Sequence, residues 1–214
     1  MKIEIGSVAV ELVDEGDRIV RHITTTGTPF EPDTLARWVE ACRPGSAVID
    51  VGGYSGLFGI AAAKAGAAEV LVVEPLPLMQ ERIEVNAKAN GVGLRLICGA
   101  ADATCGKAQL CYTNTPFTAG ASLKRKSGPN KITVKTVALD CLLVSHPVSA
   151  IKIDVERHEL AVLAGASKLL ARDRPVLFVE VLDDSAEAAV IDMLPSYKVA
   201  ARAVDRRNLI LAPA

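Results

Sequence analysis

Four ionisable side chains follow one another in the segment IKIDVERHELAVLAGA, residues 151–166: Asp154, Glu156, His158 and Glu159. Carboxylates bind cations or accept protons, and an imidazole accepts protons near neutral pH. The segment begins as an apolar strand and ends as a helix, so the charges lie at a strand-to-helix junction. We therefore expect part of an active site here, although Glu159 also suits the positive end of the helix dipole.

A second segment whose residues could bind a ligand is AVIDVGGYSGLFGIAAAKAG, residues 47–66. Asp50 ends a predicted strand, Gly52 and Gly53 allow a tight turn and close backbone approach, and Gly56 lets the next helix begin near a ligand. Glu74 ends the following strand, where an acidic residue can bind a ribose diol. The set predicts a nucleotide-like ligand; the structural alternative is a turn with a capping aspartate.

Two nucleotide-like ligands fit this geometry, and they differ in charge. NAD carries a pyrophosphate, whereas S-adenosylmethionine carries an amino group and a sulfonium. Asp50 beside a pyrophosphate would cost about 1–4 kcal/mol at a partly solvated contact distance. The glycines are also spaced GGxxG and not GxGxxG. The pattern therefore favours S-adenosylmethionine over the cofactor of a dehydrogenase.

The elements that position these residues alternate between strand and helix from residue 46 onward. Such alternation is typical of an α/β protein with a parallel sheet covered on both faces. The C-terminal residues 197–213 predict a hairpin that adds an antiparallel edge. Strands are predicted at 46–51, 69–74, 94–100, 149–154 and 175–181, and helices at 55–66, 77–91, 159–172 and 185–194.

The N-terminal part differs from this alternation. Residues 2–23 alternate apolar and polar side chains and predict a small hairpin or meander, and residues 24–29 predict a loop. A helix follows in EPDTLARWVEAC, with Leu35, Trp38 and Val39 on one face. We therefore divide the chain into a β hairpin with a lid loop at 1–31 and a main domain at 32–214.

Composition restricts the class of protein. The 214 residues are 50% hydrophobic and 23% charged, which indicates a globular domain with a substantial core. The net charge of −1 offers no overall attraction to nucleic acid or membrane, so neither partner is expected. The sequence shows neither a signal peptide nor an apolar run of about 20 residues. Five cysteines without CxxC spacing predict reduced thiols in the cytoplasm.

The motifs together resemble the FkbM family of S-adenosylmethionine-dependent methyltransferases. The block 151–166 is similar to the family signature IKIDVEGxExxVLxGA, and VIDVGGYSGLFGI is similar to its first motif. VLVVEPLP, ERIEVNAKANGV, the short segment ASL and VKTVALDCLL follow in the family's order. The resemblance implies a Rossmann-like class I methyltransferase with a mostly parallel seven-stranded sheet and an antiparallel C-terminal edge.

Two positions depart from the family pattern. The family commonly has Ala-Asn after the first glycine of its first motif, where this chain has Gly53 and Tyr54. It usually has glycine where Arg157 stands. A cation at that position could recognise an anionic acceptor or pair with Asp154 and Glu156.

The resemblance implies roles for individual residues. The methyl donor would be held by the set Asp50, Gly52, Gly53, Tyr54, Ser55, Gly56, Glu74, Pro75, Ala101, Asp102 and Asp154, with Glu74 on the ribose and Asp102 on the adenine amino group. Asp154 is the first candidate to take a proton from an acceptor hydroxyl, and His158 is the second. A divalent metal on Asp154, Glu156 and Glu180 is an alternative that we do not predict.

The resemblance and the basic residues also indicate a class of acceptor. The resemblance implies O-methylation of a small molecule or a sugar-containing metabolite. The basic residues Lys124, Arg125, Lys126 and Arg157 suggest that it is anionic, although a basic loop is also commonly just solvated. The exposed sheet edge and the apolar N-terminal hairpin would also allow a homodimer.

Two other functions stay open at this point. An RNA methyltransferase is one, because residues 50–77 also resemble archaeal-type tRNA guanine methyltransferases. The other is a binding module that holds the donor without turnover, with Tyr54 and Arg157 marking the loss of activity.

Overall fold

The computed structural model describes residues 1–14, 16–113, 121–124, 130–204 and 208–214. In chain order its elements are β1 (Lys2–Ile5), β2 (Val8–Glu11), α1 (Arg18–Thr26), α2 (Pro32–Ala41), β3 (Ala47–Val51), α3 (Leu57–Lys64), β4 (Glu69–Glu74), α4 (Pro77–Ala89), β5 (Arg95–Cys98), β6 (Ala100–Ala101), β7 (Gly106–Tyr112), β8 (Asn130–Val137), a 3₁₀ turn (Leu139–Cys141), β9 (Val148–Ile153), α5 (Glu159–Ala164), α6 (Ser167–Asp173), β10 (Val176–Glu180), α7 (Asp184–Met193), β11 (Tyr197–Arg202) and β12 (Asn208–Pro213).

A seven-stranded sheet forms the centre of the molecule, in the order β11-β12-β10-β9-β3-β4-β5. The strands β10, β9, β3, β4 and β5 run parallel, and β12 pairs antiparallel with both β10 and β11. The predicted mostly parallel sheet with an antiparallel C-terminal edge is therefore confirmed. Asp50 on β3 is paired with Lys152 on β9, which makes these two strands neighbours as expected.

The central strands β3, β4 and β9 are buried along almost their whole length and are mostly apolar, because both faces of the sheet are covered. Successive residues alternate between two cores: Val48 and Ala150 belong to one, while Ile49 and Ile151 belong to the other. The first core also receives Trp38 from α2, whose indole N–H donates to the Phe58 carbonyl at 2.9 Å. Burial on both faces fixes the register that brings the strand ends together.

The N-terminal hairpin is present, and residues 27–29 are irregular as predicted, but the prediction for residues 18–26 is wrong. β1 and β2 pair over residues 2–11, whereas residues 18–26 form helix α1 and not a further strand and loop. Asp17 caps the helix by accepting from the backbone N–H groups of Ile19 and Val20. Ile19, Val20 and Ile23 share one helical face, and this i, i+1, i+4 spacing is that of a helix and not the alternation of a strand.

Asn86 on α4 attaches this N-terminal segment to the main sheet. Its side-chain oxygen accepts from the Val13 N–H at 2.9 Å, and its amide group donates to the Ser55 carbonyl at 2.8 Å. Asn86 is fully buried, so both bonds are shielded from water. The N-terminal segment is thereby fixed against the glycine turn that follows β3.

The single helix predicted over residues 159–172 is divided into α5 and α6. Gly165 lies between them as the C-cap of α5, and a side chain there would collide with the Asp102 carbonyl, 2.2 Å from the added Cβ. Asp140 then caps α6 through the N–H groups of Lys168 and Leu169. The irregular insertion also contains a small sheet, β6-β8-β7, that the sequence did not predict in full.

Candidate active site

A cavity of about 200 Å³ opens at the carboxyl ends of β3, β4 and β9. This is where ligands bind in parallel sheets of this kind. Among the predicted site residues, those that line it are Gly52, Gly53, Tyr54, Glu74, Pro75, Ala101, Asp154 and His158. Four others, Asp50, Ser55, Gly56 and Asp102, are not part of its lining.

Glu74 is the lining carboxylate with the most developed surroundings. One of its oxygens accepts from the Tyr54 N–H and the other from the Leu76 N–H, each at 3.0 Å. Burial raises the pKa of Glu74 to about 7 despite these two bonds. Each oxygen retains a lone pair, so the carboxylate can still accept hydrogen bonds from two neighbouring hydroxyl groups.

The glycine turn brings two strand ends into direct contact. Gly52 has a left-handed backbone, with φ 84°, and a Cβ added to it would lie 1.9 Å from the Asp154 carbonyl oxygen. The Asp154 N–H in turn donates to the Val51 carbonyl at 3.0 Å. Only glycine permits both the backbone angle and this approach, which places the Asp154 carboxylate beside the turn.

Lys152 is a lining residue that sequence reasoning missed. Its ammonium lies 2.9 Å from Asp154 Oδ2 and 4.5 Å from the centre of the Phe58 ring, and only 3% of the residue is exposed. Burial alone would lower the pKa of Lys152, but Asp154, Glu31 and Asp50 together hold it above its usual range. The lysine therefore stays charged and fixes Asp154. Its position inside an apolar strand run gave no sequence signal of this role.

Asp50 was predicted to face the donor, but the structure places it beneath the turn. Its Oδ2 accepts from the Gly59 N–H of α3 at 3.0 Å. Its Oδ1 and the Ser55 hydroxyl are both buried without a partner among the described residues. Burial raises the pKa of Asp50 to about 6, against the opposing influence of Lys152. Asp50 thus supports the turn and α3 from below.

Asp102 and His158 form a pair. The imidazole Nε2 lies 3.0 Å from Asp102 Oδ1, which also accepts from the Ala103 N–H at 2.7 Å. A carboxylate can only accept, so Nε2 carries the hydrogen. The predicted roles of the two residues now conflict, because the adenine amino group and the sulfonium methyl lie on opposite sides of the donor's ribose.

The two departures from the family pattern both have left-handed backbones. Tyr54 has φ 50° and Arg157 has φ 75°. Asparagine and glycine, the family's usual residues there, adopt this conformation more easily than other residue types. Tyr54 lines the cavity, and its hydroxyl accepts from the Arg18 N–H of α1 at 3.1 Å. The departure at Tyr54 therefore attaches α1 to the cavity wall.

The basic residues predicted to recognise an anionic acceptor do not line the cavity where the structure describes them. Arg157 is paired with Asp183 at 2.7 Å on the surface, and not with Asp154 or Glu156. Lys124 is also outside the lining. Arg125 and Lys126 lie outside the described residues.

One end of the cavity is apolar. Leu76, Met79, Ala100 and Leu110 line it and belong to a common hydrophobic cluster. Leu110 lies on β7, so the small sheet of the insertion supplies part of this wall. An apolar slot next to Glu74 suits a flat ring attached to a ribose.

The other end of the cavity is lined by residues for which we predicted from the sequence either no role or only a place in the lid loop. His22 and Phe30 have ring centroids 5.7 Å apart in an edge-to-face arrangement, and both line the cavity. Glu31 lines it as well and is 95% buried. Glu31 was not predicted as a site residue, because it directly precedes Pro32 at the start of α2 and belongs to no motif.

The described residues form neither a metal-binding cluster nor a membrane-spanning helix. In the described part of the chain, no group of three or more His, Cys, Asp or Glu side chains is arranged to hold a metal ion. Glu180, the third residue of the alternative metal site, is not in the cavity lining. None of the described helices has the length and apolar character to cross a bilayer.

Comparison with known proteins gives a family match. The sequence profile of the family described as "Methyltransferase FkbM domain" matches residues 50–198. A curated relative, the ribosomal protein L11 methyltransferase of Symbiobacterium thermophilum, is 37% identical over 91 residues, which are 42% of this chain and 30% of the relative. The chain thus covers less than a third of that relative.

Solved structures show the same fold at low identity. The FkbM methyltransferase of Methylobacillus flagellatus KT has a TM-score of 0.55 at 13% identity, over 91% of this chain and 59% of that one. A ribosomal protein L11 methylase of Lactobacillus delbrueckii subsp. bulgaricus has a TM-score of 0.54 at 18% identity, over 84% and 76%. The Pyrococcus abyssi tRNA (uracil-54, C5)-methyltransferase, solved with S-adenosyl-L-homocysteine, has a TM-score of 0.53 at 13% identity, over 100% and 43%.

Proposed function

Because this chain belongs to the FkbM methyltransferase family, we propose that it transfers the methyl group of S-adenosylmethionine to a hydroxyl group of a small or sugar-containing molecule. The observation that carries the proposal is Glu74, a buried carboxylate that lines the cavity beside the glycine turn. An apolar slot adjoins it on one side and the Asp154–Lys152 pair lies on the other.

The residues present fit this donor. Glu74 can accept hydrogen bonds from both ribose hydroxyls, and the slot of Leu76, Met79 and Ala100 suits adenine. The carboxylate of Asp154 suits the positive charges of the sulfonium and amino groups. Glu74 and Asp154, which line the cavity, would repel the pyrophosphate of NAD. From the sequence, this repulsion was expected from Asp50.

When bound, S-adenosylmethionine supplies a methyl group on a positively charged sulfur. The protein then has to align an acceptor oxygen with that group, exclude water and accept the hydroxyl proton. Asp154 is our candidate for the proton, since it lines the cavity at the end of β9. Lys152 fixes the direction of its carboxylate through the 2.9 Å ion pair.

Asp102 and His158 are proposed to serve the adenine end together. Asp102 follows β6, whose residues Ala100 and Ala101 line the cavity near the apolar slot. The 3.0 Å bond keeps His158 at that end, away from the methyl group. His158 therefore has a binding role in this proposal, in place of the catalytic role predicted from the sequence.

The charge of the lining favours a neutral acceptor over the anionic one that the basic residues suggested. Glu31, Glu74, Asp154 and Glu156 line the cavity, against the cations of Arg18 and Lys152. An anionic group on the acceptor would meet a net negative surface once it entered.

Calorimetric titration of the purified protein with S-adenosylmethionine, S-adenosylhomocysteine and NAD tests the donor assignment. We expect micromolar affinity for the first two ligands and none for NAD. Binding of NAD, or of none of the three, would contradict the proposal. Consumption of labelled donor in the presence of hydroxyl-bearing metabolites then separates an enzyme from a module that only binds.

A further inference from the structure

Two buried carboxylates of the cavity lie on opposite sides of β3. Glu74 ends β4, which follows β3 in the sheet order toward β5. Glu31 lies in the other direction, where its Oε2 accepts from the Asn208 amide of β12 at 3.3 Å. A donor whose ribose binds Glu74 and whose sulfonium lies near Asp154 would leave the Glu31 end for the second substrate.

Glu31 is held in place by several features. It precedes α2 with a left-handed backbone, φ 45°, which is unusual for a glutamate. Only 5% of the residue is exposed, and its charge acts on Lys152. Strained backbone at a cavity wall is typical of residues with a function there. The arrangement fixes one carboxylate at the end of the cavity opposite the apolar slot.

An aromatic surface stands next to this carboxylate. Phe30 directly precedes Glu31 in the chain, and its ring meets His22 of α1 edge-to-face, with an interplanar angle of 83°. His22 is kept in position by Thr28, whose Oγ1 lies 3.3 Å from its Nε2. A ring on one side and a carboxylate on the other suit a molecule with one apolar face and a hydroxyl on its edge.

We propose that the methyl acceptor binds between the His22–Phe30 pair and Glu31, and that Glu31 accepts a hydrogen bond from its hydroxyl while excluding anionic acceptors. The inference rests on the proposed function, because the donor defines which end of the cavity is left. It makes Glu31 a specificity-determining residue supplied by the N-terminal part of the chain. Neither the glycine turn nor the block 151–166 contributes it.

Phenol and benzoate are suitable probes, since they have similar size and differ in charge. Binding of each to the protein saturated with S-adenosylhomocysteine can be measured by saturation-transfer NMR and chemical-shift titration. Phenol should bind the wild-type complex and lose most of its affinity in Phe30→Ala. Benzoate should bind poorly to the wild type and about fivefold more tightly to Glu31→Gln, as expected for removing one like charge in a partly solvated site.

Asp33→Asn is the matched control. Asp33 lies two residues further along the chain, is paired with Arg37 on the surface of α2 and is not in the cavity lining. This variant should exclude benzoate as the wild type does. Unfolding midpoints of all variants show whether each is folded, and Phe30→Ala with phenol tests the subsite independently of Glu31.

The outcomes separate this inference from the proposed function. Failure of S-adenosylhomocysteine to bind the wild type contradicts the donor assignment itself. If S-adenosylhomocysteine binds normally, three results would each overturn the acceptor subsite. These are absence of phenol binding, unchanged phenol affinity in Phe30→Ala, and equal benzoate affinity in wild type and Glu31→Gln.

Discussion

Asp50 and Glu74 lie at the carboxyl ends of the neighbouring parallel strands β3 and β4. Both are buried, but their side chains face different surroundings. Asp50 lies under the glycine turn, with one oxygen bonded to the Gly59 N–H and the other enclosed. Glu74 accepts two N–H groups and lines the cavity. Burial raises the pKa of both carboxyl groups, to about 6 for Asp50 and about 7 for Glu74.

The difference shows that an acidic residue near a strand end is not by itself a ligand-binding residue. Asp50 precedes Val51, one residue short of the strand end, and helix α3 closes over it. Glu74 is the last residue of its strand and is followed by Pro75 and Leu76, both in the lining. One carboxylate supports the site and the other forms its surface.

The largest expected effect on stability comes from a side chain placed where the backbones after β3 and β9 approach each other. Gly52→Ala would place a Cβ 1.9 Å from the Asp154 carbonyl and force alanine into a left-handed backbone. We expect a loss of more than about 3 kcal/mol in the free energy of unfolding, measured by urea denaturation. Gly93→Ala is the control, because a Cβ there meets nothing within 4 Å. Equal stability of the two variants would contradict the close approach.

Glu74→Gln should remove a pH dependence. A pKa raised from 4.5 to about 7 means that the folded protein binds this proton more tightly than the unfolded chain. The contribution of Glu74 to stability is therefore fully present below pH 4.5 and is lost as the pH rises through 7. Relative to the wild type, the variant should gain about 2–3 kcal/mol in unfolding free energy between pH 4.5 and pH 8. A constant difference across that range would argue against a buried, ionising Glu74.

Asp50→Asn should show a smaller change in a lower pH range. The pKa of Asp50 is raised from 3.8 to about 6, so its contribution is present below pH 3.8 and is lost as the pH rises through 6. The variant should gain about 2 kcal/mol in unfolding free energy relative to the wild type across that range. Urea denaturation between pH 3.5 and pH 8 measures it. A gain that continues up to pH 8 would mean that the two carboxyl groups are not distinguishable in this way.

The smallest effect concerns a residue outside both strand ends. Arg157 has φ 75° and an exposed ion pair with Asp183, which contributes little. Arg157→Gly removes the backbone strain and the ion pair, whereas Arg157→Ala removes only the ion pair. We expect the glycine variant to be more stable than the alanine variant by about 1 kcal/mol, with equal affinity for S-adenosylhomocysteine. A donor affinity that differs between them would give Arg157 a role in the site.

Much of the fold followed from the sequence because the central strands are mostly apolar and are separated by clear turn residues. β4 was predicted at its observed bounds, and β3 and β9 within one residue at each end. Helix α1 was missed because Ile19, Val20 and Ile23 were assigned to the alternating segment that precedes them, although their spacing fits one helical face. The capping position of Asp17 was the signal that favours a helix.

The site was predictable only in part, since a cavity is a property of the folded chain. Gly52, Glu74 and Asp154, which line the cavity, were predicted because motif and strand position coincide in them. Lys152 was missed because it occupies an apolar strand, and Glu31 because it stands at a helix start far from the motifs. Both reach the cavity only through the pairing of β9 and the docking of α2, which no local pattern contains.

Titration of wild type, Glu74→Gln and Asp50→Asn with S-adenosylhomocysteine at pH 8 tests the central claim most directly. The account predicts at least about tenfold weaker binding for Glu74→Gln, which loses a charged acceptor for the ribose hydroxyls. It predicts wild-type affinity for Asp50→Asn, because Asp50 does not line the cavity. Loss of binding in Asp50→Asn with wild-type affinity in Glu74→Gln would contradict it.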